Sequence, residues 1–291
     1  MFWAMLYCKP LPLNHFQPFE TSRDMIVNTK KNPTPITTKR APAVQGAAAF
    51  SKGIAVMQLI SEFQNPPTIN ELMASSDLTR PTLYRLLKAL ESEGLVKCTS
   101  KKTFKLGARL IQFAARAFEQ NDISRLADPE LKSLSSLTKE TCYLAIRCGN
   151  EMVYISKHDS PQTVRLHSSI GMRVPMHASS IGKCLMAHMS EEERGQLLQS
   201  LELPQITPHT ITDRNRLGVQ LQEFSQSGFA TSHQETDVDV HCFGAVIFDR
   251  LGKPVGGMSV SVPLYRLAND HQRYVRPLVA ACKRVSAALG G

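Results

Sequence analysis

The sequence predicts an α+β protein: an N-terminal winged helix-turn-helix, a linker helix, and a C-terminal domain of antiparallel sheet with helices. Three observations carry this. Apolar residues recur at helical spacing from Phe50 to Leu90 and are followed by two short strand-like runs. The pattern turns to strands at Thr141 and then mixes strands with helices. Of the net charge of +9, all but one unit falls in the first 125 residues, while residues 126–291 carry +1.

Phe50, Ile54, Met57, Leu59, Ile60 and Phe63 mark a first amphipathic helix, ended by Asn65-Pro66-Pro67. Thr68 can cap a short second helix carrying Ile69, Leu72 and Met73. After the polar turn Ser75–Leu78, Thr79 caps a third helix with Pro81 in its first turn, where a missing N–H does little harm. Leu83, Leu86, Leu87 and Leu90 form its buried stripe, and Gly94 ends it. Arg80, Thr82, Tyr84, Arg85 and Lys88 lie off that stripe or at its edge. Such groups reach phosphates and base edges in a DNA major groove. Residues 95–98 and 103–106 form a hairpin wing. It carries Lys97, Lys101, Lys102 and Lys105 and no acid, which suits phosphate contact.

Leu106, Leu110, Ile111, Phe113, Ala114, Ala117 and Phe118 give residues 107–120 an apolar stripe, fit for a dimer or linker helix or for packing on the protein's own core. A helix restarts at Asn121-Asp122 and carries Ile123, Leu126, Leu131, Leu134 and Leu137. TCYLAIR and EMVYISK read as a hairpin, with VRLHSS as a third strand. Helices follow from Ser179-Ser180-Ile181, over Glu191–Gln199 and over Leu217–Phe224. GAVIFDR then pairs with PVGGMSVSVP, and a helix over 270–288 closes the chain. The domains are therefore 46–106, a linker or dimerisation helix over 107–125, and 126–291. Residues 1–45 are an expected disordered tail, with Met25 a candidate start.

Composition excludes several classes. With 42% hydrophobic and 20% charged residues the chain is neither disordered nor fibrous, and no apolar run is long enough to span a membrane. The apolar first residues lack a signal peptide's basic start and cleavage site, so the expected location is cytoplasmic. Seven scattered cysteines without a C-x-x-C pair predict reduced thiols, not disulfides or a zinc ribbon. His167, His177, His233, His241 and Cys242 have no metal-ligand spacing, so neither metal nor cofactor is predicted. Cys242 with His241 or His233 as base is the one enzymatic alternative, yet neighbouring strand residues point to opposite faces. A redox sensor would need an exposed, low-pKa thiol beside a resolving partner. No enzyme is predicted.

TRPTLYRLLKALESEGLV, FKLGARLIQFA, GMRVPMHASSIGKCLMA, PHTIT, GFATSHQE and HCFGAVIFDRLGKPVGGMSVSVP, in this order and spacing, resemble the IclR family of bacterial transcriptional regulators over about 46–289. The resemblance implies a GAF-like C-terminal domain and a repressor of a catabolic operon. It also implies a homodimer, often a dimer of dimers, on a palindromic operator of double-stranded DNA. The implied effector is a small organic acid; SLTKET, VYISKHDS and IGMRVP look most like members that sense sugar acids, pointing to a sugar-derived or keto acid.

From the residues themselves, Ser179, Ser180 and Ile181 open a helix whose N-terminus favours a carboxylate, and Ser259 and Ser261 share one strand face. By resemblance, Cys242, Ser259 and Ser261 match polar pocket positions, and Val240, Val174 and Leu166 apolar ones. Departures are Pro81 where the family usually has Ser, Ser232 where some members are acidic, and Gly244 where Ala is common, which predicts a larger pocket.

Overall fold

The computed structural model describes residues 47–119, 122–163, 166 and 168–290. The expected tail over 1–45 lies outside them, as does His167. The chain divides into two compact units, Met1–Leu110 and Ile111–Gly291.

In the first unit, α1 (Ala48–Glu62), α2 (Ile69–Ala74) and α3 (Arg80–Ser92) precede a two-stranded wing of β1 (Val96–Cys98) and β2 (Phe104–Leu106). The stripe of α3 buries Leu83, Leu87 and Leu90 against Val56 and Ile60 of α1, Leu72 of α2 and Phe104 of the wing. Leu86 is only partly buried, and Phe50 and Ile54 of α1 face outward, although all three share the helical spacing. Thr68 closes a capping box on α2: its hydroxyl accepts from Glu71 N, and its own N–H donates to the Glu71 carboxylate at 2.7 Å. Thr79 stands at the cap position of α3 but behaves otherwise than expected. Its hydroxyl pairs with that of Thr82 at 2.9 Å and caps no backbone N–H.

The wing is held to α3 by Glu91, whose carboxylate accepts from Cys98 N at 3.2 Å. A Cβ on Gly107 would fall 2.0 Å from the Gly94 carbonyl oxygen, so the chain leaving the wing crosses the end of α3 backbone to backbone. The next helix, α4 (Ala108–Glu119), buries none of its described side chains, and Ile111 is 71% exposed.

The second unit runs α5 (Asp122–Thr138), β3 (Thr141–Cys148), β4 (Glu151–His158), β5 (Arg173–Pro175), α6 (Ser180–Ala187), α7 (Glu191–Ser200), α8 (Arg214–Ser227), β6 (Ala230–His233), β7 (Val240–Phe248), β8 (Pro254–Pro263) and α9 (Gln272–Ala288). The strands form one antiparallel sheet in the order β5-β4-β3-β8-β7-β6. One face, with Leu144, Phe243, Val260 and Val262, packs on α5 and α9. The other, with Ala145 and Val246, lies under α6, and α8 packs on α6 in turn. Central strands covered on both faces read as apolar runs rather than alternation.

Three details differ from the sequence reading. The strand beside β4 is Arg173–Pro175, not VRLHSS; of that segment only 166, 168 and 169 are described, and none is in a strand. β6 was not anticipated, and β7 begins four residues before GAVIFDR to pair with it. Leu137, counted with the apolar stripe of its helix, is exposed.

Candidate functional site

The first candidate surface is the outer side of α3 with the wing. Arg80, Tyr84, Arg85 and Lys88 are exposed and stand at spacings of four, one and three, which is one helix face. Arg80 and Arg85 make no ion pair among the described residues. Lys88 does, with Glu91 at 2.8 Å, and that carboxylate raises its pKa. Thr82 is half-buried with its hydroxyl on Thr79, so it presents less than the sequence suggested.

On the wing, Lys97, Lys101, Lys102 and Lys105 are all exposed. Lys97 and Lys105 are direct cross-strand partners, opposite the side of the hairpin that buries Val96 and Phe104. Like charges set across from each other weaken a strand pair. No acid among the described residues forms an ion pair with either. An external polyanion would relieve that repulsion.

The second candidate site lies where the N-terminus of α6 meets the sheet. Ser179 caps α6, its hydroxyl accepting from Gly182 N at 3.2 Å, so that oxygen is already engaged. The Lys183 N–H donates to the Ser179 carbonyl at 2.9 Å. The N–H groups of Ser180 and Ile181 find no hydrogen-bond partner among the described residues, and both residues are buried. Unsatisfied N–H groups and the helix dipole make such a mouth favourable for an anion.

Beneath it, the strand register sets two rows. Ser232, Cys242, Ser261 and Thr141 form one; Ala230, Gly244, Ser259 and Tyr143 form the next. Val240 shares the face of Cys242 by alternation. Cys242 Sγ lies 3.2 Å from Ser261 Oγ. Ser232 Oγ donates to the Ala178 carbonyl at 2.7 Å, strapping β6 to the segment that enters α6.

Gly244 does not enlarge a cavity. A Cβ there would stand 2.5 to 2.7 Å from the backbone of Ser180 and Ile181, so the missing methyl is where α6 lies down on β7. The site is closed: Ser180, Ser259 and Ser261 are 2–4% exposed. Two open clefts lie elsewhere. One of about 550 Å3 lies between α7 and α8, and one of about 440 Å3 lies beside Ile123, Arg147 and Val255.

Burial pushes the Cys242 thiol up to about 12, so it is a poor nucleophile. His241 faces the opposite side of the sheet, its Nδ1 3.0 Å from His233 Nδ1. Burial, aided by His233, His271 and Lys183, lowers it to about 4. No three His, Cys, Asp or Glu among the described residues are grouped to hold a metal, and no described helix is long and apolar enough to cross a membrane.

The sequence reading missed two features. Lys183 of α6 is fully buried and donates to Glu235 at 2.5 Å and to Gln220 at 3.3 Å. Tyr143 on β3 stacks on Tyr154 of β4, ring centroids 4.4 Å apart. The GK step after Ser179-Ser180-Ile181 and the Tyr143/Ala145 alternation were the only local signals of them.

Family models match most of the chain. The model for the bacterial transcriptional regulator IclR C-terminal domain matches residues 115–287, and that for the IclR helix-turn-helix domain matches 49–98. The chain is 30% identical to the HTH-type transcriptional regulator KdgR of Dickeya chrysanthemi, covering 96% of this chain and 94% of that one. It is 31% identical to the HTH-type transcriptional repressor AllR of Escherichia coli K12, covering 85% and 92%. Among solved structures, an IclR transcriptional regulator from Alicyclobacillus acidocaldarius superposes with a TM-score of 0.73 at 26% identity, covering 84% of this chain and 98% of that one.

Proposed function

This chain belongs to the IclR family of bacterial transcriptional regulators, and from that premise we propose how it acts. It is a DNA-binding regulator of the repressor type, not an enzyme, with a small-molecule effector domain. The operator is a palindrome beside a catabolic operon in the cytoplasm, bound by a homodimer or a dimer of dimers. α3 enters the major groove with Arg80, Thr82, Tyr84 and Arg85 toward base edges, while Lys88, Lys101 and Lys102 meet phosphates. The apolar stripe of α4 supplies the dimer contact. The effector is a sugar-derived or keto acid. Its carboxylate takes the N–H groups of Ser180 and Ile181, with Ser179 ordering that turn. Cys242, Ser259 and Ser261 give polar contacts, and Val240 an apolar one.

The observation that carries the DNA reading is the acid-free wing, with Lys97 set across from Lys105, together with the exposed arginines of α3. An effector that binds one DNA-spacing state better than the other shifts operator occupancy. The test is binding of the full chain to its own upstream DNA under excess competitor DNA at several salt concentrations. Preference for that DNA with a steep salt slope is expected. Equal affinity for competitor would contradict the operator assignment.

A further inference from the structure

Two helix ends meet where the wing passes the chain on to α4. α3 finishes in a left-handed turn at Gly94, with φ at +68°. There Gly94 N donates to the Glu91 carbonyl at 3.0 Å and Leu95 N to the Leu90 carbonyl at 2.9 Å. That turn uses neither the Glu93 nor the Gly94 carbonyl. One residue from the first turn of α4 takes both. Arg109 Nη1 donates to the Glu93 carbonyl at 2.9 Å and to the Glu93 carboxylate at 2.5 Å. The Arg109 N–H donates to the Gly94 carbonyl at 3.4 Å.

The capping is mutual. The Arg109 N–H is one of the donors that a helix start leaves without a partner of its own, and a helix end leaves carbonyls in the same state. The electronegative end of α3 thus meets the electropositive start of α4, and the Arg109 guanidinium adds a cation at that α3 end. Gly107 N closes the joint on the Leu95 carbonyl at 2.8 Å, and Gly107 has no room for a Cβ against the Gly94 backbone. The Arg109 side chain is 44% exposed, so its ion pair with Glu93 contributes little to stability. Its bond to a backbone carbonyl of α3 acts instead on direction: it ties the first turn of α4 to the last turn of the helix that carries Arg80, Tyr84 and Arg85.

Resting on the reading that α4 supplies the dimer contact, we propose that Arg109 is a positioning residue for operator recognition. It fixes the angle at which α4 leaves α3. In a dimer joined through α4, that angle sets the distance between the two copies of α3, and with it the half-site spacing that the dimer accepts. Each base pair added between half-sites turns one against the other by about 34°, from a repeat of about 10.5 base pairs per turn. A firm joint rejects that error, and a loose joint follows it.

The test is fluorescence anisotropy of the full chain against the duplex it protects in its own upstream DNA. Two further duplexes have that centre lengthened or shortened by two base pairs. Wild type should lose about thirty-fold or more on each altered duplex. Arg109→Ala should lose less than about five-fold on them relative to its own affinity for the natural duplex. Arg109→Lys keeps a cation at the end of α3 without the two-pronged grip, and should fall between the two. A merely structural role would lower affinity for all three duplexes together and leave their ratio unchanged. The wild-type ratio in Arg109→Ala, or in Arg109→Lys should the alanine variant fold poorly, would overturn the proposal. A wild type indifferent to spacing would overturn the α4 dimer reading beneath it, and the proposal with it.

Discussion

Lys183 Nζ and Glu235 Oε1 lie 2.5 Å apart with both side chains buried, joining α6 to the loop that follows β6. The same loop is clamped from behind, since Thr207 donates to the Gln234 carbonyl and Thr210 to the Glu235 carbonyl. Burial lowers the Lys183 pKa, and the Glu235 carboxylate opposes that shift. Glu235 Oε2 has no partner among the described residues, and Oε1 accepts from the lysine and, at 3.4 Å, from His233 N.

Removing one member of a buried pair strands the other charge. Lys183→Met should therefore destabilise the C-terminal unit by about 3–5 kcal/mol. Urea unfolding followed by circular dichroism measures this. A loss under about 1 kcal/mol would show that the pair is not dry in solution.

Gly244→Val places a branched side chain where the Ser180–Ile181 backbone lies. Overpacking of this kind costs about 1–3 kcal/mol. Because it lifts the mouth of α6, it should weaken effector binding more than it weakens operator binding. Titration calorimetry and fluorescence anisotropy separate the two; equal losses in both would count against the assignment of that mouth to the effector.

Arg85→Ala removes an exposed side chain with no ion pair among the described residues, so stability should hold. Operator affinity should fall by about 1–3 kcal/mol, roughly 5–150-fold, with effector affinity unchanged. Anisotropy against labelled operator checks this. Lys97→Glu turns the Lys97–Lys105 repulsion into attraction. It should raise the stability of the N-terminal unit by a few tenths to about 1 kcal/mol while reducing operator affinity and its salt slope.

The pH dependence of stability carries a contribution from His241. Its folded pKa is depressed to about 4 from 6.5, chiefly by burial. Its contribution is intact above pH 6.5, where folded and unfolded forms are both neutral. It is lost as pH falls toward 4, because only the unfolded chain takes the proton. His241→Phe should flatten the decline between those values; an identical pH profile would show that other groups set it.

Much of this was legible in the sequence. Leu83, Leu87 and Leu90 declare α3 because helical period writes burial into spacing, and Ser179 declares the start of α6 because capping chemistry is local. Phe50, Ile54 and Leu137 keep the period yet face outward, since spacing names a face without saying what covers it. β6 and the strand at 173–175 span four and three residues, too few for alternation to register. Lys183 and Glu235 stand 52 positions apart, and Gly244 meets Ser180 across a similar gap, so no local pattern marks either. The hydroxyls of Ser179 and Thr82 looked available in the sequence and are engaged within the fold.

Effector control of DNA binding is the central claim, and linkage tests it most directly. The effector's dissociation constant should be measured by calorimetry with and without saturating operator, and the operator's by anisotropy with and without saturating effector. If the acid releases the repressor, operator should weaken the acid by the same factor as the acid weakens operator, about 5–150-fold. An acid that binds equally well to the free and the operator-bound protein would contradict the account.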